Sequence, residues 1–217
     1  MPAVRWIACF LLLVSTLAAQ PSPPQPASGL RPFTFEDMMS LKRIGEPAIS
    51  PDGKWVVFSA VEVSLEQNTR TPHLWIVPLA GGDARQLTSD PKGEERPRWS
   101  PKGDQLLCVS ARDGVPQVWA HAFDPASGRL TGEPRKVTAI STGASGALWS
   151  PDGRHVLFTS EVYPDCKDDA CNRQREEQNE QSKVKASTFT RLLFRHWSTY
   201  TAGKRTHVFV TPAEGGE

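Results

Sequence analysis

The side chains able to do chemistry cluster late in this 217-residue chain. Glu176 and Glu177 form an acid pair that can hold an amino group, although such a pair in a polar stretch is most often one solvated face of a helix. Arg195 and His196 stand beside Trp197 and combine basic with aromatic side chains. They are the stronger candidates for the few polar anchors that orient a ligand.

Two of the four cysteines predict a covalent link. Cys166 and Cys171 enclose four residues, and in an oxidising compartment a pair at this spacing is expected to form a disulfide. A metal pair is the weaker alternative, because no further Cys or His stands at ligand spacing nearby. Cys108 lies in a strand-like run, where the default is a small buried side chain.

A serine nucleophile has no recognisable setting in the sequence. Hydrolases of the α/β type place it in a Gly-x-Ser-x-Gly pentapeptide, whereas the nearest match, residues 142–146, has the wrong spacing and precedes a strand-like run. Asp52 and Asp152 raise the question of calcium, but neither has a second acid at the spacing of a calcium loop. We therefore expect no catalytic residue, no metal site and no cofactor in this chain.

The elements that position these side chains follow a repeat of fifty residues. Ser-Pro-Asp-Gly or Ser-Pro-Lys-Gly stands at 50–53, 100–103 and 150–153, and an apolar, β-type run follows each copy. Proline presets φ for a tight turn and glycine supplies a position with positive φ, so each copy predicts a chain reversal that leads into a strand. A fixed period of this size indicates a repeat architecture.

Each repeat contains a second pair of strands. Residues 73–79 and 117–123 are rich in β-branched and aromatic side chains, and a third copy begins at 207–210. Four short antiparallel strands in about 40–50 residues form one blade of a β-propeller. We predict an all-β fold, an incomplete propeller of about three to four WD40-like or TolB-like blades over 33–217, with a short N-terminal helix and a polar helical insertion at 172–187.

Four tryptophans recur within the repeat. Large aromatic side chains at a fixed place in a blade usually pack between blades and rarely form ligand platforms. We therefore interpret them as core residues: Trp75, Trp99, Trp119 and Trp149.

The start of the chain has the composition of an export signal. At 1–19, Arg5 precedes an apolar run and small residues precede the expected cleavage site. The apolar run is shorter than the roughly 20 residues that span a bilayer, and 20–32 is a proline-rich tether. The net charge of +1 leaves no electrostatic footprint for nucleic acid or anionic lipid. We expect an exported protein, periplasmic or extracellular, with no membrane span.

Several segments together resemble the N-terminal part of a secreted serine peptidase of the prolyl oligopeptidase clan (family S9), in the branch of the dipeptidyl-peptidases 5 and acylaminoacyl-peptidases. They are the opening at 33–44, the three Ser-Pro-x-Gly repeats, residues 161–166 and the group around Arg195 and His196. The resemblance implies a propeller that covers a C-terminal α/β-hydrolase domain. In that domain a Ser-Asp-His triad cleaves short peptides from their N-terminus.

Two hypotheses follow from these observations. The first is the substrate-gating propeller of such a peptidase, inactive alone because the hydrolase domain is missing from these residues, with Arg195, His196 and, more weakly, Glu176 and Glu177 as anchors for a short peptide. The second is a periplasmic TolB-like propeller that binds a protein partner without catalysis. The blades are expected to look the same in both, and in both the chain is expected to stop inside a hairpin.

Overall fold

The computed structural model describes residues 29–190, 192, 195–200 and 202–216. The predicted signal peptide at 1–19, and all but the last four residues of the predicted tether at 20–32, lie outside this part. Among the described residues, no helix is long and apolar enough to cross a membrane.

A short helix, α1 (Phe35–Ser40), opens the described fold. Thr34 caps it: its hydroxyl accepts from the N–H of Asp37 at 3.2 Å, and the Asp37 carboxylate accepts from the N–H of Thr34 at 2.9 Å. This reciprocal pair is a capping box, which satisfies two backbone donors at the helix start. The predicted N-terminal helix is confirmed.

The strands form three antiparallel sheets in chain order and one separate hairpin. The first sheet contains β1 (Arg43–Ile44), β2 (Ala48–Ile49), β3 (Trp55–Ser64), β4 (Thr69–Pro78) and β5 (Arg85–Gln86). The second sheet contains β6 (Glu95–Trp99), β7 (Gln105–Ser110), β8 (Gln117–Asp124) and β9 (Arg129–Lys136). The third sheet contains β10 (Ser145–Trp149), β11 (His155–Val162) and β14 (Arg205–Pro212), and the hairpin contains β12 (Arg195–His196) and β13 (Thr199–Tyr200).

Each sheet corresponds to one sequence repeat, so the predicted blade-like sheets and the mostly β fold class are confirmed. The chain between β11 and β14 leaves the third sheet and forms α2 (Asp169–Gln181) and the β12–β13 hairpin before it returns. The helix begins three residues before the predicted polar insertion at 172–187 and ends six residues before its predicted end. A polar helical insertion within the third repeat is therefore also confirmed.

The Ser-Pro-x-Gly motifs form tight turns that connect β2 to β3, β6 to β7 and β10 to β11. In all three copies the glycine N–H donates to the serine carbonyl at 2.9 Å. The three glycines have φ of 70°, 74° and 71°, a region that other residues seldom adopt. The turn interpretation of the repeat is confirmed.

The carboxylates of these turns are engaged within the turns themselves. The Ser50 hydroxyl donates to Asp52 at 2.6 Å, and this hydrogen bond lowers the pKa of Asp52. In the second copy Lys102 replaces the acid, and the Ser100 hydroxyl donates instead to Asp104 at 2.8 Å. In the described part of the chain, no three His, Cys, Asp or Glu side chains are grouped so that they could hold a metal ion.

Neighbouring sheets pack face to face through two apolar cores. The core between the first and second sheets includes Val57, Leu74, Ile76, Leu106, Cys108 and Trp119. The core between the second and third sheets includes Leu107, Val118, Ala120, Val156, Phe158 and Ala213. Trp99 and Trp149 pack against these cores, so the interpretation of the recurrent tryptophans as packing residues holds for them and for Trp119.

Hydrogen bonds between sheets repeat with the same period. The indole N–H of Trp99 donates to the Ala48 carbonyl at 3.0 Å, and that of Trp149 donates to the Arg98 carbonyl at 3.2 Å. Trp99 ends β6 and Trp149 ends β10, and their acceptors lie in β2 of the first sheet and in β6 of the second sheet. The indole contacts therefore fix the register in which one sheet follows another.

One buried histidine gives the fold a predicted dependence on pH. The pKa of His121 is lowered from its usual 6.5 to about 4, mainly by burial and secondly by the positive charge of Arg112. Its unfolded form takes up a proton as pH falls below 6.5 while the folded form does not, so stability is lost between pH 6.5 and 4. We expect a loss of about 1.4 kcal/mol per pH unit in this window.

The test compares the original chain with His121→Gln, which cannot titrate. Urea unfolding at several pH values should show the extra acid sensitivity only in the original chain. Glu94, whose pKa is raised by burial, acts in the opposite direction in both proteins and cancels in the difference. Equal acid sensitivity of the two proteins would contradict the assignment.

Candidate functional site at the insertion end

The insertion lies at the end of the sheets opposite to the Ser-Pro-x-Gly turns. Those turns join β2 to β3, β6 to β7 and β10 to β11, and in an antiparallel sheet the next connection comes at the other end. In the third sheet that next connection is the insertion, residues 163–204. The Ser141 hydroxyl, from the segment that joins the second and third sheets, donates to Asp169 of α2 at 2.7 Å, which fastens the helix there.

Polar contacts attach α2 to the third sheet. Asn172 is its buried side chain, and its amide oxygen accepts from the N–H of Tyr163 at 2.9 Å. Asp168 caps the start of the helix, and its carboxylate accepts from the N–H of Cys171 at 2.9 Å. A helix without an apolar stripe gains little from burial, so these few hydrogen bonds determine where its side chains point.

The two acids of the candidate pair have different surroundings. The half-buried Glu176 accepts from the hydroxyl of Tyr163 at 2.7 Å and lies 3.3 Å from the ammonium of Lys204. The pKa of Tyr163 is raised to about 12, mainly by burial and secondly by the hydrogen bond to Glu176. Glu177 is exposed, because adjacent helix residues point in different directions. Glu176 thus holds the helix to the sheet, and Glu177 faces solvent.

Cys166 and Cys171 form a disulfide with Cα atoms 5.4 Å apart. It closes the loop between Tyr163 and the first turn of α2, directly before the residues that anchor the helix. Cys108 is a buried free thiol, and burial raises its pKa, so it is protonated and unreactive at neutral pH.

We expect the double variant Cys166→Ser/Cys171→Ser to loosen α2 at a modest global cost. A loop this short should contribute less than the roughly 3 kcal/mol estimated for a loop of about 15 residues. Hydrogen exchange should rise in α2 and stay unchanged in β7 and β8 of the second sheet. Unaltered exchange in α2 would show that its polar contacts suffice without the disulfide.

Arg195 and His196 form the first strand of the β12–β13 hairpin, and both are exposed. Trp197 occupies the turn with φ of 52° and is 86% exposed; the rings of His196 and Trp197 are 6.2 Å apart, edge to face. Within the described residues, no hydrogen bond or ion pair joins Arg195 or His196 to Glu176 or Glu177. The structure places all four candidate residues in one insertion.

A cavity of about 720 Å³ opens between the C-terminal part of the insertion and the start of β14. The charged residues that line this cavity are Lys185 and Arg205, and both are basic. The four predicted anchors do not line it. Sequence reasoning missed both basic residues, because they lie 20 positions apart and neither belongs to a motif.

A second feature that sequence reasoning missed is a buried ion pair at the same end. Glu94 is 2% exposed and accepts from the Arg112 guanidinium at 2.7 Å. Arg112 also lies 3.6 Å from Asp90, and the second oxygen of Glu94 lies 3.6 Å from Nδ1 of His73. The group connects the first sheet to the second. The one local sequence signal for this ion pair is Gly93, directly before Glu94. Its φ of 79° turns the backbone there.

The comparisons with known proteins agree with this architecture. No family model matches the chain. It is 26% identical over 189 residues to dipeptidyl-peptidase 5 of Porphyromonas endodontalis, covering 87% of this chain and 26% of that protein. It is 32% identical over 103 residues to the Tol-Pal system protein TolB of Anaeromyxobacter dehalogenans, covering 48% of this chain and 22% of TolB.

Among solved structures, an acylaminoacyl peptidase in complex with Z-Gly-Gly-Phe-chloromethyl ketone superposes with a TM-score of 0.57. The match covers 82% of this chain and 24% of the peptidase, at 16% identity, and therefore concerns the fold. The chain spans about a quarter of the length of the curated relatives it matches. Similarity in sequence to dipeptidyl-peptidase 5, and in fold to an acylaminoacyl peptidase, confirms the resemblance of this chain to the propeller part of a prolyl oligopeptidase-clan serine peptidase.

Proposed function

We propose that this chain is the substrate-gating propeller portion of an exported S9-type serine peptidase that acts on short peptides. The observation that carries the proposal is the sequence match to dipeptidyl-peptidase 5, which extends over 87% of the chain and therefore reaches beyond the first two repeats into the insertion. A lid of this kind restricts substrates by access and by a few polar anchors.

In this proposal the insertion end is the surface that meets the peptide. Arg195 and His196 are exposed on a hairpin and supply hydrogen-bond donors for carbonyl or carboxylate oxygens of a substrate. Glu177 is the better placed acid for an α-amino group, because Glu176 already accepts from Tyr163. Bond cleavage itself belongs to a hydrolase domain with a Ser-Asp-His triad, where the histidine takes the serine proton and an oxyanion hole binds the tetrahedral intermediate.

Export is part of the same proposal. The composition of 1–19 supports it, and the Cys166–Cys171 disulfide is a kind of bond that persists in oxidising compartments. The gating role needs the protein to meet peptides in the periplasm or outside the cell.

A TolB-like propeller that binds a protein partner without catalysis is the second candidate. The 32% identity to TolB supports it. That match covers 48% of the chain, compared with 87% for the peptidase, and this difference is why we favour the peptidase.

The test is a chimera in which residues 33–216 replace the matching segment of the Porphyromonas endodontalis peptidase. We expect the chimera to hydrolyse dipeptidyl chromogenic substrates, and the chain alone to hydrolyse none. Arg195→Ala/His196→Ala should raise KM about tenfold, equivalent to ~1.4 kcal/mol of binding, with kcat nearly unchanged because the anchors bind ground state and transition state alike.

Lys54→Ala, at the opposite end of the sheets, is the control and should change neither constant. Calorimetric titration of the isolated chain with an uncleaved dipeptide gives a second reading that does not depend on the chimera folding. Equal KM and equal dipeptide affinity with and without the basic pair would refute their role as anchors.

A further inference from the structure

Charge is distributed unevenly along the insertion. Residues 181–213 contain six Lys or Arg side chains and no Asp or Glu, whereas residues 161–180 contain seven acidic and three basic side chains. The whole chain is nearly balanced, with 25 basic and 24 acidic residues. A surface segment with one sign of charge attracts ligands of the opposite sign, so the C-terminal part of the insertion favours acidic ligands.

Two of these six cations line the cavity of about 720 Å³. They are Lys185 and Arg205, and among the described residues no carboxylate pairs with either side chain. The neighbouring Lys204, by contrast, lies 3.3 Å from the carboxylate of Glu176. The charge of the cavity wall is therefore not compensated by an acid of the described chain.

Backbone carbonyls hold both cations in place. The ammonium of Lys185 donates to the carbonyls of Asn179 and Glu180 at 3.3 and 3.0 Å, which belong to the last turn of α2, where carbonyls lack helical partners. The guanidinium of Arg205 donates to the carbonyl of Lys204 at 2.8 Å. An ammonium has three donors and a guanidinium five, so both groups keep donors for a ligand.

The cavity wall uses the covered face of the third sheet. Side chains alternate between the two faces of a strand, so Arg205 lies on the same face of β14 as Phe209. Phe209 packs against the core between the second and third sheets. Val208 and Val210 lie on the other face, and the cavity does not depend on what covers them.

The rest of the lining suits a peptide side chain. The volume lies within the range of small-molecule pockets. The lining combines apolar side chains with hydroxyl groups, from Val184, Phe189 and Leu192 and from Ser187, Thr188 and Thr190. Apolar groups can contact the methylene groups of an acidic side chain while the cations bind its carboxylate. A phosphate would favour a helix N-terminus, whereas Asn179 and Ser182 place the negative C-terminal end of α2 at this cavity.

We propose that this cavity binds an acidic side chain of a peptide substrate, so that peptides containing Asp or Glu are the preferred substrate class. This inference rests on the proposed peptidase function. Leu192, Ala202 and Gly203 line the cavity and stand on either side of the β12–β13 hairpin in the sequence. The cavity therefore lies at the base of the hairpin that carries Arg195 and His196, and a peptide bound by these anchors can extend into it.

Calorimetric titration of the chain with three dipeptides tests the inference. Ala-Glu-amide has a side-chain carboxylate, Ala-Gln-amide has none, and Ala-Gln has a carboxylate only at its C-terminus. We expect Ala-Glu-amide to bind about tenfold more tightly than the other two at low salt, a modest ratio because both cations are exposed. The ratio should fall several-fold in about 0.5 M salt, because salt screens exposed charges.

Variants assign the preference to the cavity. Lys185→Gln and Arg205→Gln should each lower the ratio of the two amide affinities to about three, and the double variant should lower it to about one. Arg205→Lys keeps the charge and should keep most of the ratio. Lys183→Gln is the matched control, since Lys183 is exposed in the same segment and does not line the cavity. Arg195→Ala/His196→Ala should weaken both amides alike and leave the ratio unchanged.

The peptidase chimera gives a second reading of the same ratio. The inhibition constant of Ala-Glu-amide should be about tenfold lower than that of Ala-Gln-amide. A chimera that hydrolyses its substrates and shows equal inhibition by the two amides would refute the cavity alone. An inactive chimera, together with the expected calorimetric ratio for the chain, would count against the peptidase function and support the cavity.

Three results would overturn the inference. The first is equal affinity of the original chain for the two amides. The second is a preference that persists in Lys185→Gln/Arg205→Gln, which would place the carboxylate elsewhere. The third is tighter binding of Ala-Gln or of inorganic phosphate than of Ala-Glu-amide, which would identify a site for a peptide C-terminus or for phosphate.

Discussion

Leu74→Ala is expected to lower the free energy of unfolding by about 3–4 kcal/mol, because it opens a cavity in a core that holds two sheets together. Leu74 is 0% exposed and packs in the core between the first and second sheets. The variant would keep the backbone hydrogen bond at residue 74, because the N–H of Leu74 donates to the Thr88 hydroxyl at 3.0 Å and does not involve the side chain. The loss is therefore one of packing.

Urea unfolding followed by tryptophan fluorescence measures this loss. Val208→Ala is the matched control, since Val208 occupies the equivalent place in the third sheet but is 63% exposed. Its substitution should change stability by no more than about 0.5 kcal/mol. Similar losses for the two variants would contradict the difference in burial between these two positions.

Glu94→Ala should cost about 3–5 kcal/mol, because it leaves the guanidinium of Arg112 buried without its partner. Glu94 and Arg112 have side chains 3% and 13% exposed. The double variant Glu94→Leu/Arg112→Leu should recover most of the loss, since a buried ion pair replaced by apolar groups is often nearly neutral.

An exposed ion pair of the insertion provides the control. Arg175 and Asp165 are 2.8 Å apart, with side chains 36% and 68% exposed, so Asp165→Ala should cost no more than about 1 kcal/mol. Thermal unfolding of the four proteins decides the matter. If Glu94→Ala is as mild as Asp165→Ala, the buried pair does not hold the first and second sheets together.

The repeat could be predicted from sequence because its signals are local. Proline and glycine set the turn dihedrals within four residues, and this is why the turns at 50–53, 100–103 and 150–153 were recognised. In the second turn Lys102 stands where the other two turns have an acid, and the Ser100 hydroxyl donates to Asp104 instead. This contact was missed, because the hydroxyl can donate to an acid two or four residues further along and only the geometry shows that it does.

The ion pair of Glu94 with Arg112 was missed for a different reason. It joins residues 18 positions apart in different connecting segments, and no periodic pattern marks a contact between two sheets. The acid pair of the insertion was recognised as a pair, but the sequence could not separate its members. Glu176 is held by Tyr163, a contact that depends on how the third sheet meets α2.

The central proposal is that this chain is the propeller portion of a peptidase. The DNA that follows the codon of Glu217 in the source genome tests it most directly. We expect that region to encode further Ser-Pro-x-Gly sheets and then, in the same or a shifted frame, a Gly-x-Ser-x-Gly pentapeptide between a strand and a helix. Further sheets followed by a true stop codon, with no such pentapeptide in any frame, would contradict the account and favour the TolB-like binding protein.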